Sequence, residues 1–259
     1  MKQTALITGA SNGLGLEFAK IFAREGYDLV LVARNEAKLA ALKSELEAAH
    51  GIRAEVFAKD LSQDDAAAEV YAFTGAQKIA VDVLVNNAGL GDFGAYGERS
   101  WHKQREMVGV NVVALIQLTH CYLNPMLARN SGKILNLASV AAFQPGALMS
   151  VYYASKAFVL SFSEALSVEL KHTGVSVTAL CPGPTKTGFE ARAELQESGL
   201  FKNLKTATAR DVAEYGYRQM QKGKVIAVPG LANKAATMLG KLAPRGVVRQ
   251  VVYNIQKRR

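Results

Sequence analysis

The chain's 259 residues are 49% hydrophobic and 20% charged, with 22 Gly, 6 Pro and 2 Cys, a composition that excludes a disordered, fibrous or disulfide-built protein. Its net charge of +9 sits at one end: residues 1–214 hold 21 basic and 22 acidic side chains, whereas residues 215–259 hold ten Lys or Arg and no Asp or Glu. That asymmetry excludes a nucleic-acid footprint spread over the whole fold, and a core of this size needs neither disulfide nor metal.

In chain order, apolar β-branched runs at residues 4–8, 28–33, 53–58, 81–86, 132–138, 175–181 and 225–228 predict seven strands. Most are apolar on both faces, as parallel strands covered by helices are. Between them the helical period predicts helices over about 13–25, 35–50, 63–78, 100–130, 151–173 and 208–222. Asn35 and Ser62 read as N-caps, and Gly26, Gly51 and Gly174 as helix stops. Strand–helix alternation with short turns builds right-handed βαβ units. The expectation is an α/β fold over residues 1–230: one doubly wound parallel sheet of about seven strands with helices on both faces. Residues 184–207 break the alternation, where an open sheet would carry a substrate lid.

Residues 231–259 read as a basic amphipathic extension of two helical pieces interrupted at Pro244. Val247, Val248, Val251, Val252 and Ile255 form one apolar stripe, with Arg245, Arg249, Lys257, Arg258 and Arg259 around it. Such a stripe packs on the chain's own domain or a partner subunit, or rests on an anionic membrane surface. The apolar start is too short for a signal peptide, and no stretch of about 18 apolar residues offers a membrane span, so a cytoplasmic protein is expected. Cys121 and Cys181 read as buried free thiols. His50, His102, His120 and His172 lack ligand spacing, so no metal site is expected.

Thr8-Gly9-Ala10-Ser11-Asn12-Gly13-Leu14-Gly15 joins the first strand to the first helix. Glycines let backbone N–H groups approach a pyrophosphate, and the helix N-terminus adds partial positive charge there. An acid about 20 residues onward would hold the 2′-hydroxyl of NAD. Here Val32-Ala33-Arg34-Asn35 offers a neutral residue followed by Arg34, while Glu36 falls in a helix's first turn, where acids are favoured anyway. A guanidinium holds a 2′-phosphate by a forked hydrogen bond of about 1.5–3 kcal/mol, so NADP(H) is the expected cofactor, with Ser11 or Asn12 beside Arg34.

Tyr152 and Lys156 lie four residues apart, on one face of a helix. The spacing is weak alone, since the chain has a second such pair, Tyr253 and Lys257. Context separates them, because a strand ending at Ser139 precedes the first pair, and strand carboxyl ends present catalytic groups. A tyrosine with a pKa of ~10 needs a shift worth about 4 kcal/mol to act near pH 7. A lysine ammonium ~4 Å away at an effective dielectric near 20 supplies about that much. Tyr153, with Ala157 four residues on, packs or faces substrate.

With these motifs in place, the chain resembles a short-chain dehydrogenase/reductase over about residues 3–230. The carrying residues are Thr8, Gly9, Gly13 and Gly15, then Asp60 with Leu61 beside it, and Asn86-Asn87-Ala88-Gly89. Asn111, Ser139, Tyr152 and Lys156 match the family's catalytic tetrad, and Pro182-Gly183-x-x-x-Thr187 its nicotinamide-facing segment. Arg34-Asn35-Glu36-Ala37-Lys38-Leu39 and the long tail resemble the ketoacyl and 17β-hydroxysteroid reductase branch. The resemblance implies a single Rossmann domain interconverting a carbonyl and a secondary alcohol. It makes Tyr152 the general acid/base and has Lys156 lower its pKa and hold the nicotinamide ribose. It has Ser139 bind the substrate oxygen, Asn111 position a relay water and Asp60 meet the adenine. It also implies a small-molecule carbonyl or alcohol substrate bound near residues 90–97 and 184–207, and a homodimer or homotetramer. An epimerase or dehydratase on the same scaffold, or a dinucleotide sensor without turnover, is the alternative.

Overall fold

The computed structural model describes residues 2–193, 195 and 206–257. Seven parallel strands form one sheet: β1 (Thr4–Thr8), β2 (Asp28–Ala33), β3 (Ala54–Ala58), β4 (Val83–Asn86), β5 (Gly132–Leu137), β6 (Val175–Leu180) and, last in the chain, β9 (Ile226–Ala227). Their order, β3-β2-β1-β4-β5-β6-β9, reverses direction between β1 and β4. A crevice opens at such a reversal, beyond the strands' carboxyl ends.

The continuous apolar runs follow from burial on both faces. Ala5, Ile7, Leu29, Leu31, Val83 and Val85 enter one core cluster, and Leu6, Val30, Val32 and Leu84 the other. The first cluster is completed by α1 (Gly13–Arg24), α2 (Glu36–His50) and a later helix, α8 (Ala209–Gln221), through Phe18, Phe22, Leu42 and Met220. The second is completed by α3 (Ala66–Ala76), α5 (Leu115–Ala128) and α6 (Ser150–Glu169), through Val70, Leu118, Tyr122 and Leu166. Large aliphatic and aromatic side chains of this kind contribute about 1.5–3 kcal/mol each when fully buried.

The expected helix over 100–130 is two α segments, α4 (Trp101–Val108) and α5, joined by a π turn over Gly109–Ala114. By length and composition residues 101–128 do suffice to cross a membrane, against the sequence expectation. Their inner face, however, is built into the second core cluster.

Asn35 caps α2, its Oδ1 accepting from Lys38 N at 2.9 Å, and Gly51 closes it in the left-handed region. Ser62 is not a cap. The Asp60 carboxylate accepts from Ser62 N at 2.9 Å, the chain turns there, and α3 begins only at Ala66. Gly174 is not a helix stop either, since α6 ends at Glu169. A Cβ at residue 174 would stand 1.8 Å from Asn130 O, so close backbone approach is what requires glycine there. Cys181 is buried as expected, but Cys121 is only half-buried.

In the irregular stretch, β7 (Thr185–Lys186) pairs with β8 (Ala207–Thr208), and α7 (Phe189–Arg192) follows β7. Residues 194 and 196–205 of the expected lid lie outside the described residues, as do Arg258 and Arg259. The tail forms α9 (Leu231–Leu242) and α10 (Arg245–Gln256), broken at Ala243–Pro244.

Candidate active site

All six long strands deliver residues to one cleft of about 440 Å³ at their carboxyl ends. The loop after β1 opens it. Gly13 has φ +56°, and a Cβ there would meet Thr187 Cβ at 2.8 Å. A Cβ on Gly15 would lie 2.2 Å from Gly9 O, so the third glycine lets the start of α1 close onto the loop. Asn87 fastens this loop to β4, donating from Nδ2 to Thr8 O at 2.8 Å. Thr8 Oγ1 accepts from the backbone N–H groups of Asn87 and Ala88, both at 3.0 Å. Ser11, Asn12, Leu14, Ala88 and Gly89 complete this wall, while Gly15 lies behind it.

At the carboxyl end of β2, Arg34 is 56% exposed and reaches to 3.8 Å from the Asp60 carboxylate beyond β3; Leu61 follows on the cleft wall. One turn into α2, Lys38 Nζ donates to Asn12 Oδ1 at 3.2 Å, a second cation at this corner that strand-end reasoning missed. Its signal was present: four residues separate Arg34 from Lys38 across a helix start. The open cradle and the glycine loop fit a nicotinamide dinucleotide whose pyrophosphate meets the amino end of α1.

On the far wall, Ser139 closes β5. Its Oγ accepts from Ala141 N at 3.1 Å and donates to Pro182 O at 3.4 Å. Tyr152 and Lys156 stand one turn apart on α6. Lys156 is 4% exposed. Its Nζ donates to Leu137 O at 2.7 Å and stands 5.8 Å from the Tyr152 ring centroid. Burial holds the Lys156 pKa down at about 8. Burial pushes Tyr152 up to about 12, against the pull of a hydrogen bond with Ser139. The expected lowering of Tyr152 by Lys156 is therefore absent from this arrangement. Lys156 has lost nearly all its water and the half-buried Tyr152 part of it, and each is driven toward its neutral form.

Asn111 lies in the π turn, buried, and does not line the cleft. Its Oδ1 accepts from Leu90 N at 2.8 Å, and its Nδ2 donates to Leu90 O and Ser155 Oγ, each at 3.0 Å. Its side chain thus clamps the loop after β4 to α6.

Pro182, Gly183 and Thr187 line the cleft beyond β6. The tail supplies residues that sequence reasoning left out: Asn233, Ala236 and Thr237 on α9, and Ile255 on α10. The uncharged polar pair at 233 and 237, one turn apart on the helix, was the available signal. Tyr153 is buried against Phe93, Met149, Leu195 and Val252, and the Gln256 amide of α10 donates to its hydroxyl.

Residues 3–198 match the sequence profile of the short chain dehydrogenases. Serine 3-dehydrogenase of Agrobacterium fabrum is 35% identical over 223 residues, covering 84% of this chain and 87% of that protein. A short-chain dehydrogenase from Sphingobium yanoikuyae, solved in complex with NADPH, superposes with a TM-score of 0.83 at 30% identity over 95% of this chain and 94% of that one. One from Burkholderia phymatum, solved with NAD, gives 0.81 at 28% identity over 92% of each. The match spans between 53% and 63% of the length of four other curated relatives. With the glycine cradle, the strand reversal and three-quarters of its length in common with these proteins, the chain belongs to the short-chain dehydrogenase/reductase family of nicotinamide-dependent oxidoreductases.

Proposed function

We propose that this protein is an NADP(H)-dependent carbonyl reductase and alcohol dehydrogenase, with residues 1–230 as its catalytic domain, residues 184–207 as a substrate lid and residues 231–259 as a basic extension. One observation carries this reading: Tyr152, Lys156 and Ser139 open into the same cleft as the glycine loop and Arg34. The dinucleotide, when bound, supplies or accepts a hydride at its nicotinamide ring. Gly9, Ser11, Asn12, Gly13 and Leu14 hold its phosphates, Gly15 lets α1 close onto that loop, and Asn87, Ala88 and Gly89 extend the same wall from β4. Arg34 takes the 2′-phosphate, with Asp60 and Leu61 beside the adenine; Pro182, Gly183 and Thr187 face the nicotinamide.

Ser139 Oγ donates to the substrate oxygen and fixes it beside the Tyr152 hydroxyl. A tyrosine with a pKa of about 12 is protonated at neutral pH, so Tyr152 stands ready as the proton donor to a carbonyl. Lys156 holds the ribose and, when protonated, stabilises the tyrosinate left after transfer. Asn111 positions the Leu90 loop and α6. Trp101, Val108, Val113 and Phe158, apolar and exposed on α4, the π turn and α6, support assembly as a homodimer or homotetramer.

The test is NADPH oxidation against a panel of aldehydes and ketones, with Tyr152→Phe alongside. Carbonyl-dependent oxidation that disappears in the variant is expected. Retained cofactor with no turnover on any carbonyl or alcohol would point instead to a non-redox reaction or a sensor.

A further inference from the structure

We propose that α9 and α10 form a docking face for an anionic lipid surface, on which the protein rests without spanning it. The proposal concerns binding and stands apart from the reaction above. Its first ground is the orientation of α9. A surface helix ordinarily turns its apolar stripe inward; α9 does the reverse. Its inward residues are Asn233 and the buried Thr237, both lining the cleft. Leu231, Met238, Leu239 and Leu242 are 66–83% exposed. On α10, Val248, Val252 and Gln256 face the protein, which leaves Val247, Val251 and Tyr253 to solvent. Eight of the fifteen large hydrophobic side chains exposed among the described residues lie in these two helices. A concentration of that kind marks a surface that something covers.

Charge chooses the cover. Lys234, Arg245, Arg249 and Lys257 are exposed on the same two segments, and no acid follows Glu214. A symmetric pairing of two copies through this face would set the same cations against one another. An apolar face flanked by cations, with no acid, is the composition of helices that lie in the interface of anionic bilayers. Each helix has 12 residues, and a span needs about 20, so both lie along the surface. Ile255 is exposed on α10 and also lines the cleft, so the docking face meets the cleft wall at that residue.

Each basic residue beside an anionic surface strengthens binding by about fivefold, so four together give an effect of several hundredfold. The experiment is co-sedimentation of the full chain with phosphatidylglycerol-containing vesicles and with pure phosphatidylcholine vesicles, at low and high salt. Pelleting with the anionic vesicles at low salt is expected, weakened at least about tenfold by high salt or by neutral lipid. Leu239→Glu combined with Leu242→Glu alters two exposed positions, so the fold is retained and the thermal midpoint reports it. Binding in that variant should fall at least about tenfold. A full chain that stays in the supernatant at low salt overturns the proposal, as does undiminished binding by the double variant. If the double variant instead turns an oligomer into a monomer by light scattering, a second copy covers the face and the lipid proposal is wrong.

Discussion

Lys156 carries its ammonium into a site that leaves it 4% exposed, with one backbone carbonyl as its hydrogen-bond partner. Its folded pKa of about 8 lies below the ordinary 10.5, so stability depends on pH in a definite direction. Below pH 8 folded and unfolded chains both hold the proton. Between about 8 and 10.5 the unfolded chain holds more, and stability rises with pH by roughly 3 kcal/mol from this group. Lys156→Met keeps the stem's volume and removes the charge. It should be more stable than wild type at pH 7 by about 1–3 kcal/mol, a gap that closes by pH 10.5 in urea unfolding. A gap that does not vary with pH would show that the ammonium is not desolvated. The same ionisation bears on turnover. If protonated Lys156 is the working form, kcat for carbonyl reduction declines as pH rises past about 8. Tyr152→Phe should cost at least about 100-fold in kcat with little change in NADPH binding, while Tyr253→Phe leaves solution kcat unchanged. The Tyr152–Lys156 pair was legible because one helical turn sets its spacing. Its ionisation was not, because β5 and the loop after β4, from other parts of the chain, close around Lys156.

The strands were legible as elements because burial on both faces leaves an unbroken apolar run, readable to within two residues at most ends. Local polar chemistry was less so. Ser62 has a cap's identity, but Asp60 takes its N–H and α3 begins three residues later than expected. Asn111 was found by motif, yet its π turn and its hold on Leu90 depend on backbone geometry that no pattern in Gly-Val-Asn-Val-Val-Ala announces. Asn111→Ala leaves buried partners at Leu90 and Ser155, so a loss of about 2–4 kcal/mol is expected in denaturant unfolding. Faster hydrogen exchange at the Leu90 amide should accompany it, and an unchanged rate there would refute the clamp. At the end of β2, Arg34→Ala should erase a NADPH preference of about 10–150-fold by weakening NADPH alone. Loss of affinity for both cofactors equally would mean that Arg34 serves only its contact with Asp60.

Over the whole molecule, the two halves of the cleft come from different parts of the chain. Residues 9, 11–14, 33–35, 59–61 and 87–90 build the end toward the glycine loop, and residues 144, 149, 153, 189, 195, 233, 236, 237 and 255 the other. The sequence-level division at residue 230 sets the tail apart, but α10 buries Val252 and Gln256 against Phe93, Met149 and Tyr153, one residue from Tyr152. Alternating valines predicted a single stripe; the structure splits it, with Val248 and Val252 inward and Val247 and Val251 outward. Four-residue spacing fits either face of a helix, and only the partner surface decides which is used. Ending the chain after Pro244 removes buried Val252, worth about 1.5–3 kcal/mol, together with the half-buried Val248, and uncovers Phe93 and Tyr153. None of that packing touches the loop after β1. The shortened chain should therefore bind NADPH with nearly unchanged affinity, which also reports that it has folded. Its KM for a carbonyl substrate should rise by at least about tenfold, as expected when an apolar wall worth more than 1.4 kcal/mol is lost. Equal weakening toward cofactor and carbonyl would show that α10 holds up the whole fold and builds no substrate wall of its own.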